Sequence, residues 1–241
     1  MAAGASRARP AADRRGPEEL SSYRTKAGVA TDVLRRAILT GELGPAEPLT
    51  VAALAERFGL TLMPLREALS HLAAEGLVEI EPHQSARVAR LSHERMNEEY
   101  AVRAILEAAA AAEATTHLDD AAFDDLEDLL RRMDRARDAK RTADYWALTK
   151  RFHERIYAAT PSPLLREEVE RVRVRTLRYL PAFERDHELV HTAQREHWEI
   201  FRALRAGDGP KVERVVRSHV ATVARSVRLP EEASVPVSRR A

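Results

Sequence analysis

LTVAALAERFGLTLMPLREALSHLAAEGLVEI, residues 49–80, decides the fold. Thr50 offers a hydroxyl to a free amide of a first helical turn, and Val51, Leu54, Ala55 and Phe58 follow at helical spacing on one side. Gly59 stands where a left-handed residue stops that helix. Thr61 is placed to cap the next one, with Pro64 still inside its first turn, where a missing N–H does little harm. In this second helix Leu65, Leu69, Leu72 and Ala73 face a core, leaving Thr61, Leu62, Met63, Arg66, Ser70 and His71 on the remaining face. Gly76 ends it, Leu77 to Ile80 alternate as a strand, and Ala86 to Ala89 return as a partner across a turn at Pro82 to Ser85. Helix, tight turn, helix and hairpin make a winged helix-turn-helix. The front half of the second helix is the part that would enter a major groove, so double-stranded DNA is the expected partner.

Composition bounds the rest. A chain of 241 residues has room for two modest domains, and the pattern changes character after Arg90. No cysteine is present, which excludes disulfides and thiolate metal sites and leaves His, Asp and Glu as metal ligands. Residues 1–22 carry Arg7, Arg9, Arg14 and Arg15 among Ala, Gly and Pro without an apolar core, and no later run is apolar enough to span a bilayer. A cytoplasmic protein with no membrane partner is expected, with disordered tails at 1–22 and 230–241. From Arg24 to Arg90 there are eight Lys/Arg (24, 26, 35, 36, 57, 66, 87, 90) and eight Asp/Glu (32, 42, 47, 56, 67, 75, 79, 81). The DNA-binding segment, 23–90, is therefore neutral, and affinity must come from where the cations sit.

From Ser92 onward the pattern is helical, and residues 91–229 are expected to form an antiparallel bundle of six to seven helices. Ser92 caps a helix reaching His117, Asp119 or Asp120 opens one to Ala139, and Thr142 opens one to Ala159. Pro161 and Pro163 interrupt. Further helices run from about Leu164 to Tyr179 and from about Asp186 to Ala206, and Gly207-Asp208-Gly209-Pro210 separates the latter from a last helix ending near Leu229. His153, His197 and His219 fall on three of these helices among apolar neighbours, so all three rings are expected to point inward. A single such histidine reads as a satisfied core residue, but three in one bundle need a shared metal or many polar partners.

Two sets of strings carry a family resemblance. AILTGELGPAEPLT (37–50), LAERFGL (54–60), PLREAL (64–69) and LAAEGLVEIEP (72–82) resemble the DNA-binding domain of GntR-type bacterial transcription regulators. VRAILE (102–107), KRFHERIYAATPSPLL (150–165) and REHWEIFRALRAGD (195–208), followed by His219, resemble the all-helical FCD-type effector domain of the FadR-like branch. The resemblance implies a homodimer on a near-palindromic operator, with ligand in the helical domain setting the pose of the heads. It also implies a divalent metal, zinc or nickel, on three histidines at positions 153, 197 and 219 plus an Asp four residues before the first; here that position is Thr149, which weakens the ligand set. Arg103 matches the branch's cavity arginine, where it would clamp the carboxylate of a small organic acid, and it can equally pair with Glu99 or Glu107.

The DNA-reading end departs from the family. Leu62 stands where an arginine is common and Ser85 where the wing tip usually has Gly, so Arg66 is the remaining cationic reader. Thr61 is assigned to a phosphate, Leu62 and Met63 to thymine methyls, and His71, His83 and Gln84 to backbone or minor-groove contacts, with solvated polar residues as the alternative for the two histidines. The expected function is a ligand-responsive regulator, a repressor by default and not an enzyme. The competing readings are a metal-dependent hydrolase, which lacks an evident general base, and a helical scaffold that binds no DNA.

Overall fold

A computed structural model describes residues 25–80, 86–184 and 186–229. Helix α1 (Lys26–Leu39) starts where Thr25 Oγ1 accepts from the Gly28 amide, and it buries Ala30, Leu34 and Ala37. Strand β1 (Pro48–Leu49) leads into α2 (Val51–Phe58), capped by Thr50 and stopped by Gly59 at φ +65°. Helix α3 (Leu62–Ala74) follows, burying Leu65, Ala68, Leu69 and Leu72 against α1 and α2. Strands β2 (Val78–Glu79) and β3 (Ala86–Val88) pair antiparallel, with Val78 opposite Val88. The expected hairpin thus carries a third strand: β1 pairs with the other edge of β3, giving the order β1-β3-β2. Two-residue strands give no alternation to read, which is why β1 escapes the sequence. The hairpin's turn, with Pro82 and Ser85, and both tails expected to be disordered lie outside the described residues.

Ion pairs hold down part of the head's positive charge. Arg35 donates to both Glu75 oxygens, at 3.0 and 2.6 Å, and reaches Asp32 as well; Arg57 reaches Glu42 and Glu47.

The second core belongs to six α-helices and one 3-10 segment. Ser92 caps α4 (His93–Ala114), Asp119 caps α5 (Asp120–Asp138), and α6 (Thr142–Ala158) begins without a side-chain cap. Ser162 caps α7 (Pro163–Thr176), followed by a 3-10 segment (Leu177–Ala182), then α8 (His187–Arg205) and α9 (Gly209–Ser226). Ala108, Ala110, Ala111 and Ala114 are fully buried on α4, and the absence of larger side chains lets α7 and α9 pack along it. The sequence reading overruns at three places. Helix α4 ends at Ala114 rather than His117, α9 ends at Ser226 rather than near Leu229, and α7 changes to 3-10 geometry at Leu177 instead of continuing to Tyr179. Pro181 accounts for the last: it has no N–H for the Leu177 carbonyl, and its ring clashes with that carbonyl in an α-helix.

Val174 of α7 packs against the core of the DNA-binding head, so the two cores meet at this helix. No helix of the described residues is long and apolar enough to cross a membrane.

Candidate functional site

His153 on α6, His197 on α8 and His219 on α9 are buried, and their ring nitrogens include a set lying within 4.8 Å of one another. Each ring is held from behind through Nδ1. His153 Nδ1 meets the Tyr157 hydroxyl at 3.2 Å, His197 Nδ1 meets the Tyr145 hydroxyl at 3.3 Å, and His219 Nδ1 meets Glu196 Oε2 at 2.8 Å. The Tyr157 hydroxyl donates to Glu107 Oε2 at 2.6 Å, so it accepts from His153; the Glu196 carboxylate also accepts. Those two rings therefore carry a proton on Nδ1 and turn Nε2 inward. His153 Nε2 and His197 Nε2 approach to 3.2 Å, a contact that needs one shared proton or a cation in its place. Burial holds His153 and His197 well below the usual imidazole range, with Arg173 and the neighbouring histidines adding to it. Neutral rings with oriented outer partners are what a divalent metal requires, and this donor set fits one.

Thr149, one turn before His153, is buried and faces the same space. Its Oγ1 meets no partner at hydrogen-bond geometry, although it lies close enough to favour the ionised form of Tyr145. A neutral hydroxyl occupies the place where the resemblance implies a carboxylate.

A cavity of about 80 Å³ adjoins the triad, reaching His153 and His219 at one side and Arg103 and Arg173 at the other. Among the larger hollows, two of about 440 and 420 Å³ are open grooves between α5 and α6 lined by interleaved arginines and acidic residues, and one of about 170 Å³ lies between α6 and α7; none of these reaches a histidine of the triad. Arg103 lines the cavity and pairs with Glu107, and it also donates to Thr176 Oγ1 at 3.3 Å; Glu99 is taken by Arg95 and Arg178 instead. Arg173 donates to the same Glu107 oxygen at 3.1 Å. Burial would push the Glu107 carboxyl up, but Arg103 and Arg173 overrule it and bring it down to about 2. Burial raises Tyr100, beneath the Arg103 guanidinium, to about 12. One carboxylate thus sits between two partly buried guanidiniums beside an opening.

Arg173, Glu107, Tyr145, Tyr157 and Glu196 escaped the sequence reading as parts of this site. Tyr157, four residues after His153, was within reach of helical spacing; Glu196, which meets His219 from another helix, was not, and nothing in the local pattern of Arg173 separates it from the surface arginines around it.

On the other domain, the front of α3 is exposed. Leu62 and Met63 are 51% and 62% accessible, and Arg66, Ser70 and His71 share that face. Thr61 is exposed and occupies the N-cap, but its side chain makes no capping bond, contrary to expectation. His83 and Gln84 lie outside the described residues.

Comparison with known proteins places both halves. Residues 26–88 match the bacterial regulatory proteins of the gntR family, and residues 98–222 match the FCD domain. The second match alone spans 125 residues (98 to 222) of 241, more than half the chain. The chain belongs to the GntR family. Among its relatives, the HTH-type transcriptional repressor RspR of Escherichia coli K12 is 29% identical over 199 residues, covering 81% of this chain and 86% of that protein. An uncharacterized HTH-type transcriptional regulator in an unstable DNA locus of Streptomyces ambofaciens is 30% identical over 192 residues, covering 79% and 80%. The solved structure of E. coli McbR/YncC superposes with a TM-score of 0.68 at 24% identity, covering 82% of this chain and 94% of that one, which shows the shared fold. This GntR chain is a DNA-binding transcription regulator with an FCD effector domain, and its relatives are regulators rather than enzymes.

Proposed function

We propose that this GntR regulator is a dimeric repressor whose hold on a near-palindromic operator is relieved by a small carboxylate in the cavity beside the histidine triad. The observation that carries the reading is a cluster of three buried imidazoles opening, through His153 and His219, on a small cavity that Arg103 and Arg173 also line. His153, His197 and His219 would hold a divalent metal, zinc or nickel, which when bound offers a cationic anchor for one end of an anion. Arg103 and Arg173 supply donors for the other end. Thr149 contributes a neutral hydroxyl, so the metal keeps more uncompensated charge and favours an anionic occupant.

At the operator, two copies of α3 lie in successive major grooves. Arg66 contacts a guanine edge or a phosphate, Thr61 a phosphate at the helix start, and Leu62 and Met63 thymine methyls. His71 is placed for a backbone contact, and His83 and Gln84 on the wing for minor-groove contacts. The half-exposed Val102 and Ile105 of α4 supply apolar surface for a second copy. A cytoplasmic location follows from this role.

Two measurements test the reading together: elemental analysis of protein purified without a chelating tag, and selection of bound duplexes from a random pool. About one zinc or nickel per chain and a recovered palindrome, with retention lost in Arg66→Ala, are expected. A metal-free protein that still responds to carboxylates refutes the metal, and a pool with no enrichment refutes the DNA reading.

A further inference from the structure

RVRTLRYL, residues 173–180, joins the end of α7 to the 3-10 segment and presents two faces to two different structures. Arg173, Thr176, Leu177 and Leu180, spaced as one helical face, line the cavity beside the triad. Val174, Arg175 and Arg178 turn the other way. Val174 packs on the core of the reader head, and the two arginines end on the backbone that closes α3. Arg175 Nε donates to the Glu75 carbonyl at 3.2 Å and its Nη2 to the Ala74 carbonyl at 3.4 Å, while Arg178 Nη1 donates to the Gly76 carbonyl at 2.6 Å. The last carbonyls of a helix lack intrahelical donors and carry the negative end of its dipole, so two guanidiniums there both satisfy and orient α3. Arg178 is anchored on the bundle side by both Glu99 oxygens, at 2.7 and 2.8 Å.

The cavity face is tied just as directly to the triad. Arg173 shares Glu107 with Arg103 and Tyr157, and the Tyr157 hydroxyl meets His153. From Leu177 the stretch is held by 3-10 bonds, whose geometry is poorer than that of an α-helix, and Pro181 removes one backbone donor. A short bar with weak internal bonding lies between the cavity and the C-terminal end of the helix that faces DNA.

We infer that residues 173–180 couple the two domains: an anion entering the cavity draws Arg173 from Glu107, the bar turns, and Arg175 and Arg178 re-aim α3 through the carbonyls of residues 74–76. Arg175 and Arg178 are positioning residues, and neither lines the cavity. The inference rests on the proposed function, in which α3 reads DNA and the cavity takes the effector.

The test is a double-mutant cycle on the full chain, reading affinity for the selected operator by fluorescence anisotropy. Arg173→Met perturbs the cavity face, Arg175→Ala breaks the hold on the head, and the double variant closes the cycle; Arg175→Lys keeps a donor at the carbonyls. Arg173→Met is expected to change operator affinity by roughly fivefold or more, the lower end of ordinary coupling between sites. That change disappears in the Arg175→Ala background and returns with Arg175→Lys. If Arg173→Met does not fold, Thr176→Val on the same face takes its place in the cycle. A wild type that binds operator while the two perturbations act independently, or a cavity-face change without effect, overturns the coupling alone. A wild type that retains no duplex overturns the proposed function and the coupling with it.

Discussion

Replacing Glu107 with Gln keeps the side chain's shape and an acceptor oxygen while removing the charge that two partly buried arginines share. Glu107 is fully buried, and the Arg103 and Arg173 side chains are 14% and 12% exposed, so solvent screens little of the interaction. The carboxyl drops from 4.5 to about 2 despite the opposing effect of burial. At about 1.4 kcal/mol per pH unit, that interval corresponds to about 3 kcal/mol in favour of the folded charged form. Because the folded value is the lower one, the stabilisation is fully present above pH 4.5 and is lost as the pH falls toward 2. Both tryptophans, Trp146 and Trp198, lie in the helical domain, so urea unfolding followed by their fluorescence reports this domain and not the head. Glu107→Gln is expected to unfold about 3 kcal/mol more easily at pH 7, with the gap to wild type level down to about pH 5 and narrowing below it. A gap under about 1 kcal/mol at pH 7, or one that stays constant down to pH 2.5, would mean that the ion pairs do not hold the carboxylate as described.

Three other outcomes are expected. Arg66→Ala weakens the selected operator by about 1–3 kcal/mol and flattens preference at one base pair if the guanidinium reads guanine, or lowers the salt slope by about 1 if it meets phosphate; unchanged binding at every salt concentration removes Arg66 from the interface. Thr149→Asp adds a carboxylate beside His153 and raises zinc affinity by roughly tenfold or more in competition with a chromophoric chelator, and equal or weaker binding would show that the hydroxyl lies outside the ligand set. Gly76 stands at φ +74°, where an added Cβ lies 3.1 Å from Arg175 Nε, so Gly76→Ala costs about 1–2 kcal/mol and lowers the thermal midpoint; an unaltered midpoint contradicts the strain.

The reader head was legible because its signals are local. Thr50, Gly59 and Gly76 mark ends by backbone chemistry that needs no partner, and Leu65, Leu69 and Leu72 repeat at one period. The inward turn of His153, His197 and His219 was legible for the same reason, since each sits among apolar neighbours on its own helix. What surrounds them was not. Tyr145 and Glu196 meet their histidines across helix boundaries or through a ring orientation that spacing leaves open, and Arg173 joins Glu107 from 66 residues away. Strand β1 and the 3-10 segment were hidden by length: two residues carry no alternation, and one proline changes a helix's geometry without erasing its hydrophobic period.

The charge balance of the head bears on how the protein finds its target. Arg35 and Arg57 are engaged with acidic neighbours, and the segment as a whole is neutral. Attachment to arbitrary chromosome rests on phosphate neutralisation, whereas recognition rests on base edges. A head with so little net charge would be held only weakly by the millions of competing sequences in a genome. Few copies per cell would then suffice to keep the operator occupied, and search would proceed by repeated encounters from solution more than by sliding along the duplex.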